Sequence, residues 1–272
     1  MPELRFSVSA PERKLIETWR TSAWLRRLLA LVLGLSLITA FSLATPLAVQ
    51  ARPLYSCGNA TSGTHCYAYA DTNNSAFYNA KGATVKILVV QMQCSQCGGN
   101  PGTTSGFVNN EMWFYASGYY WVEVGYLTQA DAFHSWEDYF WGDKRPVDCS
   151  TCVNYHDMGG IPSGDYNQYA TFTIKRTSSN SFHATVSSPN ASKSGDSTNN
   201  TMDVAGVQMG QELAGNAGAS APNARYIYRS YWNSSGVSTS IGGNYSVWDP
   251  SGPPYFNYIS GSGSVDFYTH CC

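Results

Sequence analysis

Charge is what this sequence has least of. Only 12% of its residues are Asp, Glu, Lys or Arg, and 16 basic side chains stand against 18 acidic ones in 272 residues. A nucleic-acid-binding chain needs a concentrated basic footprint, so that class is excluded. After residue 51 there is no long stretch with apolar residues at helical spacing, and no apolar run long enough to span a bilayer. The HExxH zinc motif, the GxSxG nucleophile elbow, the Walker loop and the dinucleotide-binding glycine loop are all missing. Five histidines (His65, His134, His156, His183 and His270) are scattered, with no pair at metal-ligand spacing. No metal or other cofactor is expected.

The first 51 residues differ from the rest. Arg5, Arg13, Lys14, Arg20, Arg26 and Arg27 precede an apolar run over 28–44, and Val49, Gln50 and Ala51 supply a signal-peptidase site before Arg52. The leader is read as a secretory signal, with secretion as the expected localisation. The alternative is an uncleaved signal anchor at 28–44, since a run of that length is at the lower limit for spanning. Residues 52–272 are expected to form a single domain. The leader takes six of the 16 basic and three of the 18 acidic residues, leaving 10 basic and 15 acidic in the mature part.

Cysteine is present in even number and entirely beyond the leader: Cys57, Cys66, Cys94, Cys97, Cys149, Cys152, Cys271 and Cys272. Behind a signal peptide this is first a disulfide framework. Two CxxC pairs, Cys94/Cys97 and Cys149/Cys152, have the ligand types of a structural zinc site, but export to an oxidising space favours disulfides. A bond between the adjacent Cys271 and Cys272 would close a strained ring. Each is therefore expected to reach a different partner, tying the C-terminal strand to the two CxxC loops, while Cys57 and Cys66 close a local loop.

Short alternating runs separated by turn residues predict an all-β, two-sheet antiparallel sandwich, jelly-roll-like, from about Thr84 onwards. Residues 83–93 read as one strand, 111–116 as another, and 132–141 as strand or strand plus loop. The segment 146–164 holds the second CxxC and a glycine- and proline-containing loop, and 188–201 reads as a polar surface loop. Residues 168–176 and 182–187 form a predicted hairpin with Ala170, Phe172 and Ile174 on one face. Residues 202–213 read as a strand, because two internal glycines weigh against a helix. It would turn Ala205, Val207, Met209, Leu213 and the exceptional Gln211 to the core, and Val204, Gly206, Gln208, Gly210 and Glu212 outwards. Short strands follow at 223–232, 245–248, 255–259 and 265–268.

The densest aromatic and β-branched stretch is 119–126. Ser117 and Gly118 turn the chain into it from 111–116, which predicts a hairpin. Alternation places Tyr120, Val122, Val124 and Tyr126 on a core face, and Tyr119, Trp121, Glu123 and Gly125 on the other. A carboxylate between aromatic rings and beside a glycine costs free energy unless it is hydrogen-bonded or lines an open cleft. Glu212 occupies a comparable position on its own strand. Glu123 and Glu212 are the candidate catalytic pair, with Tyr119, Trp121 and Gln208 as candidate substrate-binding residues.

On WVEVGY (121–126) and VQMGQELAG (207–215) the chain resembles secreted two-glutamate β-sandwich hydrolases: jelly-roll glycoside hydrolases and, more distantly, neprosin-type glutamic peptidases. It is also similar to secreted sandwich proteins of lectin-like shape. The resemblance implies a hydrolase acting on polysaccharide or glycan through a glutamate pair. The alternative is a non-catalytic protein that binds carbohydrate or protein. A carbohydrate or glycan surface is the expected partner, with no membrane contact after signal cleavage.

Overall fold

Residues that alternate between apolar and polar close into two layers when their apolar faces meet, and this chain does so. The computed structural model describes residues 65–71, 77–94, 107–116, 120–130, 135–149, 152–214, 219–242, 246–248, 255–259 and 267–271. The leader 1–51, Cys57, Cys97, Tyr119 and Cys272 lie outside the described residues, as do the side chains of Cys66, Cys94 and Cys271.

One sheet holds, in spatial order, β14 (Ser246–Trp248), β1 (His65–Asp71), β11 (Val204–Ala214), β4 (Phe107–Ala116), β5 (Tyr120–Ala130), β6 (Ser135–Lys144) and β7 (Asn154–Gly160). The other runs β10 (Ser192–Thr198), β9 (Ser181–Ser187), β8 (Tyr169–Ser178), β2 (Gly82–Leu88), β12 (Ala219–Trp232), β16 (Phe267–Cys271) and β15 (Tyr255–Ile259). Two short strands, β3 (Gln93–Cys94) and β13 (Ser238–Ser240), also pair with β12. Every pair is antiparallel, and helical conformation among the described residues is 3-10 only, at Ser163–Asp165 and at Phe77.

The core lies between the layers. Val122, Val124 and Tyr126 of β5 meet Phe172 and Ile174 of β8 and Phe182 of β9, all buried. The Phe172 ring sits 6.2 Å from that of Tyr126 and 6.1 Å from that of Tyr139. Phe114 meets Phe182 edge-on at 5.8 Å. Tyrosine hydroxyls then pin the layers together. Tyr126 donates to Leu88 O at 3.0 Å and accepts from Val90 N at 3.2 Å. Tyr226, reaching across from β12, lies 2.6 Å from Gly210 O and 3.0 Å from Asn110 Oδ1.

The sandwich, the hairpin of β8 and β9 with its core face, and the strand at β11 agree with the sequence reading. Several local readings do not. The run 83–93 is broken, because β2 ends at Leu88 and Asn167 and Gln168 engage Val89 by backbone hydrogen bonds instead. The segment 146–164 contains β7, and 188–201 contains β10. Neither has an apolar stripe; each is an edge strand that forms by pairing with a stronger neighbour, β6 or β9. A strand also precedes Thr84, at β1. Val204 is buried in the core rather than turned outwards, because the register with β4 shifts between Val204 and Gly206 and reverses the alternation there. Gln211 does face inwards, with neither amide atom hydrogen-bonded among the described residues. Cys149 and Cys152 are bonded to each other. Both sulfurs are therefore spent locally, and the expected tie from this CxxC loop to the C-terminal strand does not form.

Phe172→Ala should cost about 3–5 kcal/mol of stability, since it empties the contact between two sheets that cannot collapse onto it. Equilibrium denaturation measures this; a loss below about 1 kcal/mol would contradict the packing described.

Candidate active site

The outer face of the first sheet carries the polar chemistry. In β4 the alternation turns Val108, Met112 and Phe114 into the core and leaves Asn109, Glu111 and Trp113 on the opposite side. The hairpin register pairs Trp113 with Glu123 and Glu111 with Gly125. On the other side of β4, Glu111 faces Gly210 and Asn109 faces Glu212. Glu111 therefore stands between two glycines, with Glu123 on one diagonal and Glu212 on the other. Across one strand and along two residues, the Cα separation is about 8 Å, within reach of long side chains. Glu123 and Glu212 are two strands and four residues apart, about 17 Å between Cα atoms on the same geometry. The pair singled out in the sequence is thus linked through a third carboxylate.

The glycines make the arrangement possible. A Cβ at Gly125 would lie 2.9 Å from Glu111 Cα and 2.5 Å from Asn110 O, so no side chain fits there. Gly142, opposite Glu123 on β6, leaves the space that the Glu123 carboxylate occupies; a Cβ there would come within 3.2 Å of Glu123 Cδ.

Glu111 is fully buried, while Glu123 is half-buried and Glu212 is 6% exposed. The Asn109 amide ties the group together: its Nδ2 donates to Glu111 Oε1 at 2.5 Å and to Glu212 Oε2 at 3.4 Å, and its Oδ1 accepts from Glu212 N at 2.9 Å. Among the described residues Glu111 Oε2 has no hydrogen-bond donor. The Glu212 carboxylate beside it is itself an acceptor, so a hydrogen bond between the two needs a proton on one of them. Burial, then the charges of Glu123 and Glu212, hold the Glu111 carboxyl well above its ordinary range despite the Asn109 hydrogen bond.

A structural carboxylate in the same protein shows the contrast. Asp165 is also fully buried, but Tyr139 donates to it at 3.0 Å, Ser188 at 2.5 Å, and Asn190 twice, at 3.1 and 2.8 Å. Burial alone would raise its pKa; these donors outweigh that and lower it.

The candidate binding residues fall around this row. Trp121 shares the face with Glu123, half-buried, with Lys144 Nζ 5.6 Å from its ring centre. Gln208 is half-buried on β11, opposite Trp113. The Trp113 ring meets Tyr69 edge-on at 6.2 Å. Asp138 of β6, buried on the same face, is pushed up to about 6 by burial and then by Asp157 and Glu137. Glu111, Asn109 and Asp138 were missed in the sequence. The signal for Glu111 was available: once Ala116 pairs with Tyr120, the hairpin count places Glu111 opposite Gly125 on the Glu123 face.

No protein-family model matches the chain, and no curated protein matches it. Among solved structures, it is similar to scytalido-glutamic peptidase with a peptide-based transition-state analogue (TM-score 0.52, 9% identity, 78% of this chain and 100% of that chain). A second structure of that enzyme, with a transition-state analogue inhibitor, gives a TM-score of 0.50 at 13% identity over the same shares. At these identities the likeness is one of fold: a β-sandwich shared with a glutamic peptidase.

A carboxyl raised in the folded state binds its proton more tightly there than in the unfolded chain. Its contribution favours folding below the ordinary value of 4.5 and is lost as pH rises from there through the folded pKa. Glu111→Gln removes that dependence. The stability of the variant relative to the wild type, from denaturant unfolding, should therefore grow as pH rises from 4.5 towards neutrality; a difference independent of pH would contradict the assignment.

Proposed function

We propose that this chain is a secreted, acid-acting hydrolase of the glutamate type, with the peptide bond as its substrate. The observation that carries this reading is the row Glu123–Glu111–Glu212, whose central member is enclosed and short of donors while its neighbour Glu123 is partly open. Environments that push carboxyl groups apart assign acid and base. Glu123 is the base that takes a proton from water. Glu111, kept protonated by burial and by its charged neighbours, is the acid that delivers a proton to the leaving nitrogen. Asn109 holds Glu111 in place by a hydrogen bond and ties Glu212 to the same amide. The sandwich shared with scytalido-glutamic peptidase supports peptide over glycan, and the leader supports export with cleavage before Arg52.

A second reading keeps the glycan substrate. Trp121, half-buried beside Glu123, offers the apolar platform that a sugar ring would use.

The test is hydrolysis of an unfolded protein and of a polysaccharide panel from acidic to neutral pH. Glu123→Gln and Glu111→Gln should each lower kcat/KM on the protein substrate about 10²–10⁴-fold. Cleavage confined to polysaccharide would transfer the assignment to the second reading. A folded wild type that cleaves neither, while retaining glycan or protein binding, would support the non-catalytic alternative.

A further inference from the structure

Tyr155 of β7 pairs with Gly142 of β6, which in turn pairs with Glu123 of β5. Because Gly142 has no side chain, nothing on β6 stands between the phenol and the carboxylate in that row. The Tyr155 ring stacks on Phe140, centroids 5.5 Å and planes 20° apart. Phe140 pairs with Gly125, the glycine beside Glu111, so the stack holds the phenol over the face that carries the glutamates. Burial, then the charges of Asp138, Asp157, Glu123 and Glu111, raise the Tyr155 pKa, which keeps its hydroxyl proton in place.

Among the described residues that hydroxyl is buried without a hydrogen-bond partner. Other tyrosines of this protein are treated differently. Tyr126 donates to Leu88 O, Tyr139 to Asp165, Tyr166 to Glu137, and Tyr226 lies against Gly210 O. An enclosed donor without an acceptor costs about 1–3 kcal/mol, so the position is unfavourable until something supplies an acceptor. A substrate carbonyl entering beside Glu123 would do so.

We propose that Tyr155 is a further catalytic residue of this site, donating a hydrogen bond to the substrate carbonyl oxygen as it becomes an oxyanion. The inference rests on the peptidase reading. In the first step Glu123 takes a proton from water, the water oxygen bonds to the carbonyl carbon, and the carbonyl π pair moves onto the oxygen facing Tyr155. In the second step that pair returns, the C–N bond breaks, and the nitrogen takes the Glu111 proton. Tyr155 keeps its own proton throughout. Its role is to stabilise charge that appears only in the transition state, the kind of interaction that lowers a barrier without tightening ground-state binding.

The experiment compares wild type, Tyr155→Phe and Glu123→Gln on one peptide substrate, with kcat, KM and thermal unfolding for each. Tyr155→Phe should lower kcat about 10²-fold or more with KM nearly unchanged, as expected for loss of one oxyanion donor. Its Tm should equal or exceed that of the wild type, because no hydrogen bond is lost. If Glu123→Gln is inactive but Tyr155→Phe keeps kcat within about twofold, this inference fails and the peptidase reading stands. A fall in kcat accompanied by a lowered Tm would assign Tyr155 a structural role and overturn it. A folded wild type without peptidase activity removes both.

Discussion

A carboxylic acid enclosed between two others is the constraint on which the rest of this structure turns. Placing Glu111 in the middle of β4, away from water and flanked by Glu123 and Glu212, disfavours its charged form twice over, by burial and by repulsion. The surrounding sequence accommodates that cost. Gly125 and Gly210 face Glu111 from either side, Gly142 makes room for Glu123, and Asn109 serves two carboxylates at once. Asp165 shows that the same fold can satisfy a buried carboxylate with four donated hydrogen bonds where the role is to tie strands to a loop. At Glu111 the Asn109 amide donates to Oε1, and among the described residues Oε2 receives no donor.

The scaffold supplies the rigidity that such a site needs. Successive residues of β4 point in opposite directions: Asn110 into the core and Glu111 onto the outer face. Behind the glutamates, the Tyr226 hydroxyl reaches from the second sheet to Gly210 O and Asn110 Oδ1, and Tyr126 fixes the end of β2. The strands that carry the carboxylates are thus held from the core side by the opposite layer. Sites on packed strands keep their geometry better than sites on loops, and burial of Val122, Val124, Val207 and Met209 against the second sheet gives β5 and β11 that support.

The layers and the paired hairpins were legible because period-two alternation of Val, Ile, Phe and Tyr specifies a buried face, as Ala170, Phe172 and Ile174 do in β8. The edge strands were not. Ser192–Thr198 has no apolar alternation, and it becomes β10 only because β9 offers an unpaired edge. Of the site, the face of Glu123 was legible, since its neighbours on 121–126 are unambiguous. Glu212 was legible only on the assumption that β11 kept one alternation, and the register shift beside Val204 shows how local that assumption is. Glu111 escaped because a single acidic residue in an aromatic strand gives no spacing signal; its meaning depends on which strands lie to either side, and β11 is nearly a hundred residues away in sequence.

Burial, then the charges of Glu123 and Glu212, hold the Glu111 carboxyl above its ordinary range. Carbon-13 NMR titration of protein labelled at the glutamate carboxyl carbons tests it most directly, with Glu111 assigned by its loss in Glu111→Gln. The Glu111 resonance should titrate well above the ordinary carboxylate range, and removing the Glu123 charge in Glu123→Gln should move it down. A Glu111 resonance that titrates in the ordinary range, and does not respond to Glu123→Gln, would contradict it.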